Sequence, residues 1–136
     1  MKLIHLAVIG AALTLGACDN NADKMAQLRG TNYMTTQDGV NIALAFDAEN
    51  NTVHGQIVNL YNGPYSINGN KIQFGNLATT MMMGPEQAMN VEQAYLQFMN
   101  TAKTYEITDS QLILRNADGQ EIIFDQVDVI PDPVNE

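Results

Sequence analysis

The feature that most limits the possible folds is a series of short strand-like stretches separated by turn sequences. Stretches of this length are typical of strands in a sheet, since helices need longer periodic segments. Turns rich in Gly, Asn and Asp between them favour antiparallel pairing of neighbours. The stretches are Leu28–Thr36, Val40–Phe46, Thr52–Asn59, Pro64–Ile67, Lys71–Phe74, Thr104–Thr108, Gln111–Arg115 and Glu121–Phe124.

Two turn sequences predict hairpins. Asn68-Gly69 lies between two strand-like stretches, and Asn116-Ala117-Asp118-Gly119 joins the last two. An Asn-Gly pair favours a type I′ turn, in which both central residues have positive φ. Further turns are predicted at Gln37-Asp38-Gly39 and Glu49-Asn50-Asn51. Consecutive strands are therefore expected to pair as a meander.

One helix interrupts the strands. Gly84 and Pro85 open it, because Pro suits the first helical position, and Glu86 is favourable at the positive end of the helix dipole. An apolar face follows at helical spacing, formed by Ala88, Val91, Tyr95, Phe98, Met99 and Ala102. This order predicts an α+β fold, an antiparallel β-meander sheet of about seven to eight short strands packed with one main helix.

The N-terminal residues have the pattern of an export signal. Lys2 precedes an apolar run, Leu3–Leu15, that is too short to cross ~30 Å of hydrocarbon. The run ends in Leu15-Gly16-Ala17-Cys18, which resembles a lipobox, and Cys18 is the only cysteine in the chain. We expect cleavage before Cys18 and lipidation of Cys18, with fatty acids such as palmitate in the attached lipid. Plain secretion with a free thiol is the alternative.

Lipidation at Cys18 would make the mature chain a stably anchored membrane protein, because two or more acyl chains hold where one does not. Asp19 and Asn20 follow, and Asp at this position resembles an inner-membrane retention signal of lipoproteins in enteric-type bacteria. We expect the protein in the cell envelope, facing the periplasm, with the inner membrane favoured over the outer membrane. The predicted regions are a signal peptide (1–17), a polar tether (18–27), one domain (28–128) and a disordered tail (129–136).

The acidic composition excludes several partners. The chain has a formal net charge of −9, and loss of Lys2 with the signal peptide changes this to −10. Nucleic acid is excluded because its phosphates require Lys and Arg, and the domain is not expected to lie flat on anionic headgroups. A soluble, self-repelling surface on a monomer accounts for the charge, and a basic partner is the alternative.

Three pieces of the domain carry a family resemblance. The three pieces are Asn59-x-Tyr61-x-Gly63-x-Tyr65, then Gly75-x-Leu77-Ala78-x-Thr80-x-Met82, then Met89-x-x-Glu92 followed by Tyr95-Leu96. After the helix come Tyr105-x-Ile107 and Leu112-x-Leu114. In order and spacing these motifs are similar to those of the META-domain, or HslJ-like, family over nearly all of Leu28–Val127, and the last two resemble the closing hairpin of that family.

The resemblance implies a small envelope domain with several antiparallel strands and one packed helix. It implies no reaction, because the family has no generally accepted catalytic residues. The family name refers to heat-shock induction, which implies an envelope-stress context. Many relatives have Cys just before the hairpin Asn and just before the Pro that opens the helix. Val58 and Gly84 hold those positions here, so the fold is expected to form without that disulfide.

Residues that could carry catalysis are few. His54, Ser66 and Ser110 are the histidine and the serines of the mature chain, and neither serine lies in a Gly-x-Ser-x-Gly elbow. His54 lies in a strand-like stretch and is interpreted as an ordinary sheet histidine. Glu92 is the acid that the family motif marks. An acid–base role for Glu92 stands beside a role in bonding the backbone near Met81–Gly84.

Each candidate metal site or aromatic patch in the sequence also has an explanation as core packing or as an ordinary turn. Asp47-Ala48-Glu49-Asn50-Asn51 begins like a calcium loop but lacks the required later Gly and Glu, so a solvated hairpin turn is favoured. Tyr33, Tyr61 and Tyr65 are expected to pack on a strand face, with an exposed patch for a partner as the alternative. Six methionines have thioether sulfurs that could bind Cu(I), although core packing is the favoured explanation for them. They are Met34, Met81, Met82, Met83, Met89 and Met99. No metal site or cofactor is predicted.

The leading functional hypothesis is a non-enzymatic, lipid-anchored envelope protein that binds another envelope protein. The first alternative is a lipoprotein that binds a soft metal such as copper, or a small ligand, through its methionines. The second is an inhibitor of a basic envelope hydrolase such as lysozyme, which the acidic charge permits.

Overall fold

Nine strands and two helical segments make up residues 23–130, the part of the chain that the computed structural model describes. Helix α1 covers residues 23–28, and helix α2 spans Glu86–Asn100 between the sixth and seventh strands. The strands are β1 Asn32–Gln37, β2 Val40–Phe46, β3 Thr52–Gln56, β4 Leu60–Asn68, β5 Lys71–Phe74, β6 Ala78–Thr79, β7 Ala102–Ile107, β8 Gln111–Asn116 and β9 Glu121–Val127.

The strands form a closed antiparallel barrel. Their order is β3-β2-β1-β9-β8-β7-β5-β4, and pairing of β3 with β4 closes the ring of eight. The ninth strand, β6, is short and pairs with β4 at Tyr61 and Asn62. The predicted antiparallel meander with one main helix is confirmed, and closure of the sheet is a further feature that the strand pattern alone did not predict.

Strand β4 closes the barrel because it pairs with β3 along one edge and with β5 along the other. Its first half, Leu60–Pro64, pairs with β3, and its second half, Tyr65–Asn68, pairs with β5. The predicted strand Pro64–Ile67 covers only the second half. Pro normally interrupts a strand ladder, but Pro64 lies where the neighbour of β4 changes from β6 to β5, and its carbonyl accepts a hydrogen bond from the Gly75 N–H at 2.9 Å.

The Asn68-Gly69 turn has the expected place but not the expected type. The pairing of Asn68 with Lys71 leaves Gly69 and Asn70 as the central residues, and Gly69 has a φ of 64°. Asn70 is not among the positive-φ residues of the described part, so the predicted type I′ turn is wrong and the pattern is that of type II′. Asp38 and Gly39, with φ of 51° and 79°, form the type I′ turn instead.

The N-terminal residues of the described part are helical where a polar tether was predicted. Residues 23–27 belong to α1, and Met25 packs against the barrel core. Leu28, predicted to start a strand, is fully buried at the end of α1. Residues 18–22 of the tether and 131–136 of the tail lie outside the described residues. Within residues 23–130, no helix combines the length and apolarity needed to span a membrane.

The barrel has two distinct ends. Near α1, the Arg29 guanidinium donates to Asn51 Oδ1 in the β2–β3 turn at 2.6 Å, and the Lys24 ammonium lies 5.5 Å from the centre of the Tyr105 ring. At the other end, Gln87 of α2 donates from Nε2 to the Asp38 carbonyl of the β1–β2 turn at 2.6 Å. The interior between the ends is filled by apolar side chains from every long strand.

Candidate functional site

A buried carboxylate on α2 organises the end of the barrel opposite α1. Glu92 is only 5% exposed. Its Oε1 accepts the backbone N–H groups of Val58 and Asn59 at 3.1 and 2.7 Å, and its Oε2 accepts Asn59 Nδ2 at 2.7 Å. Hydrogen bonds of this kind stabilise a carboxylate that has been taken out of water. Glu92 therefore binds the β3–β4 connection to α2.

Asn59 extends this network to the segment before α2. Its Nδ2 donates to the Met82 carbonyl at 3.2 Å, and its Oδ1 accepts the Met82 N–H. Thr80 donates from Oγ1 to Asn59 Oδ1 at 2.8 Å and accepts the Leu60 N–H at 3.1 Å. The sequence leaves two roles open for Glu92, acid–base chemistry and bonding of the backbone near Met81–Gly84. The carboxylate reaches that segment through Asn59.

Hydrogen bonds to the backbone of Met82 hold the methionine segment Met81–Met83 in place, while its side chains are exposed. Met81 is 93% exposed, Met82 46% and Met83 88%. Core packing, which the sequence favoured for these residues, is therefore wrong for all three. It is right for Met99, which is fully buried on α2.

A cleft of about 490 Å³ lies on the other flank of α2, between the helix and the barrel rim. Its apolar lining comes from α2, β2 and β9, and includes Ile42, Val91, Tyr95 and Phe98. Volumes of this size are typical of sites for small ligands or inserted side chains. Sequence reasoning missed the cleft because its residues come from distant parts of the chain.

The rim of the cleft is polar, and no Lys or Arg among residues 23–130 lines it. Carboxamides surround it, contributed by Gln37, Gln87, Asn90 and Gln120. Glu121 also lines it but pairs with Arg115, whose Nε lies 2.8 Å from Glu121 Oε2. Asp38 has no ion pair within residues 23–130, so its charge is uncompensated at the rim.

Comparison with known proteins identifies the family. The family model of the META domain matches residues 17–129. The chain belongs to the META domain family. The resemblance to this family is thereby confirmed. Four of the motif residues, Asn59, Thr80, Met82 and Glu92, form the hydrogen-bond network described above.

Two solved structures are similar to this META domain. The NMR structure of a protein from Burkholderia xenovorans is 21% identical, with a TM-score of 0.63, and the match covers 79% of this chain and 88% of that chain. A second NMR structure is 20% identical, with a TM-score of 0.60, and the match covers 74% and 92% of the two chains. Such identities show a shared fold alone. No curated protein matches the chain.

The tyrosines of the META domain motif are interior residues. Tyr61 donates to the Ala43 carbonyl at 2.8 Å, and its hydroxyl oxygen lies 2.6 Å from that of Tyr95 on α2. Burial raises the pKa of Tyr61 and of Tyr95 well above the ordinary value near 10.0. Tyr33 and Tyr65 are also buried, on either side of Phe46. The predicted packing of Tyr33, Tyr61 and Tyr65 is confirmed, and an exposed aromatic patch is excluded.

Gly63 of the motif allows a close approach between strands and loop. A Cβ atom there would lie 2.7 Å from both the Asn76 carbonyl oxygen and Leu77 Cδ2. The loop after β5 therefore packs directly on β4, which places Thr80 and Met82 beside Asn59. Gly63 thus serves the position of the segment before α2.

The other sequence candidates have structural roles. Asp47 Oδ2 accepts the N–H groups of Glu49 and Asn50 at 3.1 and 2.6 Å, which confirms a hairpin turn and lowers the pKa of Asp47. His54 lies in β3 with an exposed side chain, as expected of a sheet histidine. Ser66 and Ser110 lie on β4 and in the β7–β8 turn, and no hydrogen bond joins either to His54.

The lipidation and metal predictions concern different parts of the chain. The lipidation residue Cys18 and the sorting residues Asp19 and Asn20 lie outside the described residues. Among residues 23–130, no group of three or more His, Cys, Asp or Glu side chains is arranged to hold a metal ion. A metal site in the described part would have to use other ligands.

Proposed function

We propose that this META domain protein is a lipid-anchored component of the bacterial envelope that binds a basic segment of another envelope protein in the cleft beside α2. The observation that carries the proposal is the position of that cleft, at the end of the barrel opposite α1. Cys18 precedes α1 by only a few residues. An anchored chain would therefore turn its α1 end toward the membrane and its cleft away from it.

The chemistry of the cleft favours one class of partner. Apolar floor residues such as Val91 and Phe98 would receive an apolar side chain, which gains free energy on leaving water. Carboxamides at the rim both donate and accept hydrogen bonds, as a peptide backbone does. The uncompensated carboxylate of Asp38 and the net charge of −9 would attract Lys or Arg on either side of that side chain.

The proposed function is binding without catalysis, in the envelope-stress context that the family name implies. Glu92, the acid of the motif, is buried and its two oxygens accept three N–H donors. A general acid or base must instead reach a substrate proton. The motif therefore has a structural explanation that needs no reaction.

The test is site-specific photo-crosslinking in cells with the full-length lipidated protein. One photoreactive residue replaces Asn90 at the cleft rim, and a matched one replaces Ser110 at the α1 end. Ala94→Trp, which fills the cleft, and Asp38→Lys, which reverses its charge, are each combined with the probe at Asn90. Mass spectrometry identifies the cross-linked peptide, and Cys18→Ser tests the need for the anchor.

Support requires one dominant envelope protein that is cross-linked from residue 90 and not from residue 110, through a peptide containing Lys or Arg. Both cleft variants should reduce the cross-link at least tenfold, and Cys18→Ser should weaken it. Cross-links that are equal from both positions, or unchanged by Ala94→Trp, would overturn the assignment of the cleft.

A further inference from the structure

Met81 and Met83 are the most exposed large apolar side chains within residues 23–130, at 93% and 88%. Leaving such side chains in water forgoes the free energy that their burial would contribute. Neither side chain contributes to the core. The network of Glu92, Asn59 and Thr80 nevertheless fixes the backbone between them.

The backbone bonds determine how the three side chains are arranged. Asn59 binds both the N–H and the C=O of Met82, so these groups point the same way. One residue presents both groups to the same side in an extended chain, and neighbouring side chains then alternate between faces. Met81 and Met83 therefore share one face, with Cα atoms about 6.6 Å apart, and Met82 lies on the other.

We propose that Met81 and Met83 bind one monovalent soft metal ion, Cu(I) or its analogue Ag(I), through their two thioether sulfurs. Soft sulfur ligands select Cu(I) over hard cations. The unbranched, flexible methionine side chains can bring two sulfurs to one ion from neighbouring positions on the same face. The site is independent of the cleft, which lies on the other flank of α2.

Histidine does not complete this site. His54 pairs with Asn62 in the β3–β4 ladder, three residues beyond Asn59 along β4. The ligand set is therefore thioether only within residues 23–130. A thioether has no proton to lose between pH 5 and 8, whereas a histidine ligand must be neutral and titrates near pH 6.5. Affinity for the metal ion should be the same throughout that pH range.

The experiment is a titration with Ag(I) of the full-length chain carrying Cys18→Ser. Ag(I) is used because it avoids oxidation–reduction during the measurement. Calorimetry gives the stoichiometry and affinity, and NMR of methyl-labelled methionines identifies the sulfurs that bind. The variants are Met81→Leu, Met83→Leu and, as the matched control on the opposite face, Met82→Leu. His54→Ala and a series from pH 5 to pH 8 test for a histidine ligand.

The expected result is one Ag(I) per chain, with methyl shifts at Met81 and Met83. Met81→Leu and Met83→Leu should each lower the affinity at least tenfold, and Met82→Leu less than twofold. Absence of stoichiometric binding would overturn the proposal. So would equal effects of all three leucine variants, or an affinity that falls between pH 8 and pH 5 in a way that His54→Ala removes. Circular dichroism of each variant confirms that it is folded.

Discussion

At the scale of single residues, the end of the barrel depends on a carboxylate held by N–H donors. Glu92 has no ion pair within the described part of the chain, and its charge is balanced by the backbone of Val58 and Asn59 and by the Asn59 amide. Hydrogen bonds to a charged group contribute more to stability than those between neutral groups. The fold therefore depends on the acceptor character of both oxygens.

Glu92→Gln should lower the free energy of unfolding by about 1–3 kcal/mol, because the new amide NH₂ faces donors and leaves a buried group unpaired. Urea denaturation followed by circular dichroism measures the change. Glu49→Gln is the control, since Glu49 is exposed in the β2–β3 turn and its loss should change stability by less than about 0.5 kcal/mol. Equal stability of the two variants would contradict the role of Glu92.

The buried tyrosines predict loss of stability at alkaline pH. Folding raises the pKa of Tyr61 and Tyr95 above the ordinary value near 10.0. The folded state then keeps protons that the unfolded state releases, so this contribution is fully present below pH 10 and is lost as pH rises toward the folded pKa values. Each tyrosine should lower the free energy of unfolding by about 1.4 kcal/mol per pH unit in that range.

Urea denaturation between pH 7 and 11 measures this slope. Tyr95→Phe removes one titrating group, so the slope above pH 10 should fall by about 1.4 kcal/mol per pH unit. The same variant should cost roughly 1 kcal/mol at pH 7, because it loses one hydrogen bond to Tyr61. An unchanged alkaline slope in Tyr95→Phe would show that Tyr95 ionises in the folded state as readily as in the unfolded state.

Residue burial could be predicted from the sequence only where a regular element defines it. Val91, Tyr95, Phe98 and Met99 recur at helical spacing, and all four are buried. Met81–Met83 lie between β6 and α2, where no periodicity assigns a face, and apolar character alone favoured the core. Their exposure depends on Asn59 and Glu92, which are distant in sequence.

At the scale of secondary structure elements, the β3–β4 connection and the residue before Pro85 lie in direct contact. A Cβ atom on Gly84 would lie 3.6 Å from Val58 Cβ and 2.9 Å from Val58 Cγ1. A Cβ separation of about 3.5–4.5 Å is that of a disulfide. Positions 58 and 84, at which the family resemblance implies Cys in relatives, are thus adjacent here, and the Glu92 network links the same elements.

Val58→Cys combined with Gly84→Cys should form a disulfide bridge between the two positions. The oxidised variant should be more stable than its reduced form by up to about 3 kcal/mol, because the bridge restricts the unfolded chain over the loop from 58 to 84. Thermal unfolding with and without reductant measures the difference. The single variants control for the substitutions themselves, and a bridge that fails to form in the folded protein would contradict the adjacency.

Strand boundaries were predictable where turn residues bracket an alternating run, as for β2 and β5, whose predicted and observed limits coincide. They were not predictable for β4. Its Pro64 and Gly63 are residues that normally argue against a strand. They are tolerated because β4 changes neighbours at this point, a property of the closed sheet that no local pattern contains.

At the scale of the whole molecule, strand β8 connects the two ends of the barrel. Ser110 precedes β8 at the α1 end, and Ala117 follows it at the cleft end. Six residues of extended strand separate the two turns by roughly 20 Å. The two positions therefore form a matched pair for measuring which end of an anchored molecule faces a membrane.

Fluorophores on Ser110→Cys and Ala117→Cys in the lipidated protein should report different distances from a vesicle surface. Quenching by lipids labelled at the headgroup should be stronger for the label at 110, because Cys18 lies close to the α1 end in sequence. Unlipidated Cys18→Ser protein should show weak quenching for both labels. Stronger quenching at 117 would contradict the proposed orientation.

Closure of the sheet limits how neighbouring copies of the chain could associate through their strands. A sheet with free edges presents unpaired N–H and C=O groups that can recruit another chain and start aggregation. Here the backbone edges of β3 and β4 pair with each other, and the outermost strand, β6, has only two residues. Many copies concentrated in the plane of one membrane would thus have little backbone edge through which to join into a shared sheet.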